Sequence, residues 1–239
     1  MQIALIGYGK MGRAIEEIAI GRNHQIGLTI SSSNKEHLTT ENLRNCDVAI
    51  EFTNPHSAVE NIRHCIDAGV PVVCGSTGWL ERWAEVEAYC KQKNGSLLYA
   101  SNFSIGVNIF FEVNKRLASL MALQPQYNVE IEEIHHTAKK DAPSGTAISL
   151  AEQIINNNPL KKGWAKEQIN DSSLVSIFSK RIDPAPGTHH VRYKSAIDDI
   201  EIIHTAHNRS GFASGAVLAA EFIKGKKGIF SMKEVLHIQ

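Results

Sequence analysis

Apolar and polar positions change their period repeatedly along these 239 residues, and each change marks an element. Gln2–Ile6 is a short apolar run of strand length. From Met11 the apolar residues Ala14, Ile15, Ile18 and Ala19 recur at helical spacing, and Gln25–Ile30 predicts a second strand. The alternation continues with a strand over 47–52 and a helix over 57–68 that Gly69 stops. A strand over 70–74, a helix over 79–93 ended by Gly95, and a strand over 96–100 complete the run. Strand and helix in strict succession predict an α/β fold on a parallel sheet.

After Ser104 the pattern changes. A long helix is predicted over 105–123, closed by Gln124-Pro125-Gln126. A strand over 129–132 then delivers His135 to a loop, followed by a helix over 144–157 and a polar linker over 156–171. Three extended segments, 174–182, 188–194 and 199–207, alternate as a mixed sheet with one exposed face should. A small-residue-rich helix over 213–224 is expected to return to the first domain. Two domains are therefore expected, 104–212 inserted between 1–103 and 213–239, with a crevice between them.

Composition narrows the function classes. Lys+Arg and Asp+Glu balance at 25 each, with no basic block or aromatic-interleaved stripe, which argues against nucleic acid as a partner. No apolar run reaches membrane-span length, and Met1 leads almost directly into a strand, leaving no room for a signal peptide. Cys46, Cys65, Cys74 and Cys90 form no CxxC and fall in apolar or helical patterns, as free thiols of a cytoplasmic protein would.

The first candidate chemistry is Gly7-Tyr8-Gly9-Lys10-Met11-Gly12, a GxGxxG between a strand and a helix with a second strand beyond. That setting makes it a Rossmann-type dinucleotide turn. Gly7 permits the turn, Gly9 the approach of a pyrophosphate, and Gly12 close packing of helix on strand. The acid that usually meets an NAD ribose is missing: the second strand runs into Ser31-Ser32-Ser33-Asn34-Lys35. Lys35, the serines, Lys10 and Arg13 tolerate a 2′-phosphate, so both NADPH and NADH stay open. Strand ends in this fold face the cofactor, which places Phe52-Thr53, Gly75-Ser76-Thr77 and Ser101-Asn102-Phe103 near it.

The second is the stretch from His135 to Thr146. Pro143 fits a first helical turn, and Ser144 or Thr146 can cap its N–H groups. Such an N-terminus seats a carboxylate or phosphate, with His135, His136, Lys139 and Lys140 supplying donors. Either imidazole can exchange a proton near neutral pH, while Lys139 is the stronger donor candidate because its charge also steers an anion. Lys140 reads as a solvated neighbour; Arg209, after the last strand, either reaches the same crevice or forms a surface or interdomain ion pair. His204 and His207, three apart on a strand, face opposite sides, and no partner motif completes a metal site.

Together these residues resemble the 4-hydroxy-tetrahydrodipicolinate reductases, whose hallmark E-x-H-H-x-x-K-x-D-A-P-S-G-T-A is matched throughout by Glu133 to Ala147. Phe52-Thr53, Gly75-Ser76-Thr77-Gly78, Asn102 to Asn108, Gly187-Thr188-His189, and Arg209 with Phe212-Ala213 and Gly215-Ala216 extend the resemblance. The glycine turn is one residue shorter than the G-x-x-G-x-x-G of many members. The resemblance implies a Rossmann domain, an α+β mixed-sheet domain that binds a dicarboxylate substrate and builds a homotetramer, and hydride transfer from NADPH or NADH. It implies His135 as proton donor/acceptor and Lys139 as proton donor, with His136, Ser144, Gly145 and Thr146 holding substrate. Gly7, Tyr8, Gly9, Lys10, Met11, Gly12, Gly75, Ser76, Thr77, Ala100, Ser101, Asn102 and Phe103 are implied to hold the cofactor, and no metal is. The competing readings are a two-domain dehydrogenase with another anionic substrate and a non-catalytic NAD(P) sensor.

Overall fold

A computed structural model describes residues 1–167, 170–208 and 210–238. The chain divides into two compact units, Met1–Ile105 with Ser210–Gln239, and Gly106–Arg209. The first unit opens with β1 (Gln2–Ile6), α1 (Lys10–Gly21), β2 (Gln25–Ile30), α2 (Thr40–Arg44) and β3 (Val48–Glu51). It continues through α3 (Pro55–Ala68), β4 (Val72–Cys74), α4 (Trp83–Gln92) and β5 (Ser96–Tyr99). Then come α5 (Ile105–Met121), β6 (Asn128–His135), α6 (Gly145–Asn157), β7 (Gly163–Lys166), β8 (Leu174–Arg181), β9 (Gly187–Lys194) and β10 (Asp199–Ala206). The last elements, α7 (Ser210–Ile223), β11 (Gly228–Phe230) and α8 (Met232–Val235), belong again to the first unit.

In the first unit six strands lie in the order β11-β5-β4-β3-β1-β2, every pair parallel. Successive residues of a strand face opposite sides, so β1 sends Ala4 and Ile6 into one core and Ile3 and Leu5 into the other. Helices α3 and α4 cover the first core; α1, α7 and α8 cover the second. This is why β3 is buried at all four positions and reads as a continuous apolar run up to Glu51. The architecture is a Rossmann-like α/β unit.

The second unit is a mixed five-stranded sheet, β10-β9-β6-β8-β7. β6 runs parallel to β8 and antiparallel to β9. Its buried positions alternate as Val129, Ile131, Glu133 and His135. Val129 and Ile131 join a core with Ala147, Leu150, Ala151 and Ile154 of α6. The same face therefore ends in two buried ionisable side chains, Glu133 and His135.

Several boundaries differ from the sequence expectations. The polar linker over 156–171 contains β7, a four-residue edge strand too short for a period, joined to β8 by ladder hydrogen bonds while Trp164 packs on the core. His135 is the last residue of β6 and not part of the following loop. Pro143 precedes the cap of α6 and lies outside its first turn. Asn94, at φ 49°, takes the left-handed position expected of Gly95. Gly95 is small because a Cβ there would come within 3.2 Å of Cys90 Sγ. β11 and α8 were not foreshadowed by periodicity, although Ser231 and Glu234 form a capping box that marks α8.

Candidate active site

At the carboxyl end of β1 the chain turns on glycines. Gly7 has φ 102°, and a Cβ there would collide with the Phe52 carbonyl. A Cβ on Gly12 would collide with the Gly7 carbonyl, so Gly12 lets α1 close on the turn, where packing on a strand was expected. Gly9 caps α1 without a side chain, and its missing Cβ faces open space. Beside it lies a cavity of about 600 Å³ lined by Gly7, Tyr8, Gly9, Ser31, Ser32, Lys35, Thr53 and Asn54 among others. A dinucleotide fits this setting: backbone approach at Gly9, the positive end of α1, and hydroxyls with one ammonium at the far strand. Asn34 organises the loop after β2, taking the Ser31 N–H on Oδ1 and donating to the Thr29 carbonyl.

Glu51, fully buried at the end of β3, was missed by the sequence reading. It accepts from the Thr53 N–H (3.1 Å) and hydroxyl, from Asn61 Nδ2 (3.3 Å) and from Cys74 Sγ (3.1 Å). Ser76 Oγ also takes the Thr53 N–H, at 2.7 Å. Glu51 and Ser76 thus fix the wall formed by Phe52 and Thr53. Gly75 belongs to the same wall, since a Cβ there would enter the Phe52 ring. Phe52 in turn packs at a tilt on buried Phe103, with centroids 5.6 Å apart and ring planes at 53°. Thr77, Lys10 and Ser101 are exposed, Asn102, Ala100 and Met11 half-buried, and none of these residues lines the cavity itself.

In the second unit three strands and one helix converge on His135. Its Nδ1 is hydrogen-bonded to Glu133, whose other oxygen accepts from Arg181 Nη2 at 2.9 Å. Cross-strand register explains the meeting: Arg181 of β8 lies beside His135, and His189 of β9 beside Glu133. Burial pushes the Glu133 carboxyl up, but hydrogen bonds from His135, Ser179 and Arg181 outweigh it and bring the pKa to about 2. The pair is therefore anchored on a carboxylate that is ionised at neutral pH. His189 is held neutral, its pKa depressed to about 3 by burial and by the neighbouring His135. The two imidazoles meet edge to face at 5.1 Å, and His189 Nε2 is 3.1 Å from Ser144 Oγ. Gly187 leaves room at the outer nitrogen, where a Cβ would sit 3.1 Å from His135 Nε2.

Ser144 caps α6, accepting from the Ala147 N–H, so the N–H groups of Gly145 and Thr146 point out of the helix end. Gly145 is exposed and Thr146 half-buried. Lys139 Nζ is paired with both oxygens of Asp141, at 2.7 and 2.8 Å. His136 is half-buried and Lys140 exposed, as a solvated neighbour is expected to be. Arg209 lies outside the described residues. Glu133, His135 and His189 also form a group able to hold a metal by spacing, but the Arg181 guanidinium already neutralises the carboxylate.

Family models match almost the whole chain: dihydrodipicolinate reductase, N-terminus, over residues 1–103, and dihydrodipicolinate reductase, C-terminus, over 106–236. The chain belongs to the dihydrodipicolinate reductase family. A 4-hydroxy-tetrahydrodipicolinate reductase of Christiangramia forsetii is 49% identical, over 99% of this chain and 98% of its own. One of Methanocaldococcus jannaschii is 35% identical over 95% and 83%. The same fold recurs in a dipicolinate-bound dihydrodipicolinate reductase of Paenisporosarcina sp. TG-14, with a TM-score of 0.77 at 24% identity over 97% of each chain. Membership in this family makes the chain an oxidoreductase that binds a nicotinamide dinucleotide. Among the described residues no helix is long and apolar enough to cross a membrane.

Proposed function

We propose that this chain reduces 4-hydroxy-tetrahydrodipicolinate to tetrahydrodipicolinate, with loss of water, at the expense of NAD(P)H in diaminopimelate and lysine biosynthesis. The observation that carries the reading is the buried carboxylate–imidazole pair of Glu133 and His135, set in the unit that also holds Lys139 and the open end of α6. Bound dinucleotide supplies a hydride; every other requirement falls on the protein. Residues 1–103 and 213–239 serve as the dinucleotide domain, and 104–212 as the substrate and oligomerisation domain.

The substrate is a ring dicarboxylate. One carboxylate meets the Gly145 and Thr146 N–H groups and the Ser144 hydroxyl at the positive end of α6, with His136 as a further donor. Loss of the 4-hydroxyl as water takes one proton onto the leaving oxygen and gives one up from the adjacent ring carbon, whose C–H electron pair becomes the C=C of a C=C–C=N system. Hydride added to the carbon that carried the hydroxyl drives electron density onto nitrogen, which must then be protonated. A cation beside that nitrogen lowers the barrier. Lys139 donates this proton once substrate displaces Asp141 from its ammonium. His135, with Glu133 stabilising its imidazolium, acts as proton donor and acceptor.

On the cofactor side, Gly7 to Gly12, Gly75 to Thr77 and Ala100 to Phe103 hold the dinucleotide, and Ser31, Ser32 and Lys35 accept a 2′-phosphate at least as well as a free hydroxyl. A homotetramer is supported by apolar side chains left exposed on β10 and the turn before it, Ile197, Ile200 and Ile203. Four buried, unpaired cysteines fit a cytoplasmic enzyme. The test is oxidation of NADPH and of NADH with substrate made freshly by the preceding synthase, beside a panel of oxo acids and amino acids. Turnover with that substrate alone supports the reading; turnover only with a panel member replaces it.

A further inference from the structure

We infer that Arg181 is a positioning residue that locks the His135 pair and the Lys139 loop into one rigid unit. The inference rests on the roles proposed for His135 and Lys139. Arg181 ends β8, beside His135 in the parallel register. Its Nη2 donates to Glu133 Oε1 at 2.9 Å and to the Asp141 carbonyl at 2.6 Å. Its Nε donates to the Lys139 carbonyl at 3.3 Å, and Nη1 to the carbonyl of Lys180 at 2.7 Å. One planar guanidinium thus grips the carboxylate that orients His135 and two carbonyls of the segment that displays Lys139.

Among the described residues the loop after β6 has few other ties. Thr137 donates its N–H and hydroxyl to Asp183, and the Lys139 N–H reaches the His136 carbonyl, but both are exposed or local contacts. Arg181 is the tie that runs from this loop to a fully buried group, and its side chain is only 20% exposed. A rigid fork with donors in fixed directions suits four acceptors at once; a lysine ammonium in its place is a point charge on a flexible stem. The guanidinium also offsets the buried charge of Glu133, so the carboxylate stays ionised and keeps accepting from His135.

Substitution of Arg181 separates this role from simple support of the fold. In Arg181→Ala, kcat is expected to fall roughly a hundredfold, the loss of ~2.7 kcal/mol of barrier lowering, while dinucleotide affinity stays unchanged because that site lies in the other unit. Low-millimolar guanidinium should restore part of kcat in Arg181→Ala and none in Lys139→Ala. Arg181→Lys, which keeps the charge and loses the fork, should stay at least about tenfold below wild type. Arg181→Lys within threefold of wild type overturns the inference, also where Arg181→Ala does not fold. A folded Arg181→Ala that loses kcat without any response to guanidinium overturns it as well. Absence of turnover in the wild type with this substrate would instead refute the proposed function.

Discussion

Replacing Glu133 with Gln tests whether an ionised carboxylate anchors the site. The side chain is fully buried, which alone would raise its pKa, yet hydrogen bonds from His135, Ser179 and Arg181 lower it from 4.5 to about 2. On acidification the unfolded chain takes up this proton first. Glu133 therefore contributes its full stabilisation above about pH 4.5 and loses it as pH falls toward 2. A fall from 4.5 to about 2 corresponds to roughly 3 kcal/mol at neutral pH, of which about 2 kcal/mol has gone by pH 3. Gln keeps the shape but has one acceptor oxygen for two partners, so its NH₂ either faces the Arg181 donor or forces His135 Nδ1 to accept, and either arrangement adds a loss. Urea unfolding of wild type and Glu133→Gln at a series of pH values from 7 to 3 reads both parts. The stability gap should be large at pH 7 and narrow by about 2 kcal/mol at pH 3. A gap that stays constant over that range, or widens in acid, refutes the reasoning.

Other outcomes follow from the same geometry. Lys139→Ala should lower turnover by at least about a hundredfold and leave NADPH binding near wild type by fluorescence titration, because the lysine is the proposed proton donor of the second unit and the glycine turn that seats the dinucleotide belongs to the first. Gly7→Ala should abolish dinucleotide binding and lower the thermal midpoint, since a Cβ at φ 102° collides with the Phe52 carbonyl. Lys35→Ala should raise the KM for NADPH about three- to fivefold and leave that for NADH unchanged, an effect that added salt erases.

The first unit was legible in the sequence because its strands are buried on both faces and separated by amphipathic helices, so apolar runs and turn glycines mark it directly. The stretch from His135 to Thr146 was legible too, since a Ser cap, neighbouring lysines and paired imidazoles are local signals. What surrounds His135 was not. Arg181 lies 48 residues from Glu133, and His189 lies 45 from Ser144, so their meeting depends on sheet register. The alternation of β6, which buries Glu133 and His135 on one face, was the available hint: two polar residues at core positions of a strand demand partners. Glu51 left the same hint as the sole charged residue closing an apolar strand. β7 and β11 are edge strands of four and three residues, defined by neighbours rather than by their own pattern.

The most direct test of the central claim follows the hydride itself. With reductant deuterated at the transferable position and freshly made 4-hydroxy-tetrahydrodipicolinate, mass spectrometry and NMR of the product locate the label. Tetrahydrodipicolinate carrying one deuterium on the carbon that bore the hydroxyl is the predicted result. Label at any other carbon, or substrate recovered unlabelled from enzyme that binds the dinucleotide, would contradict the account.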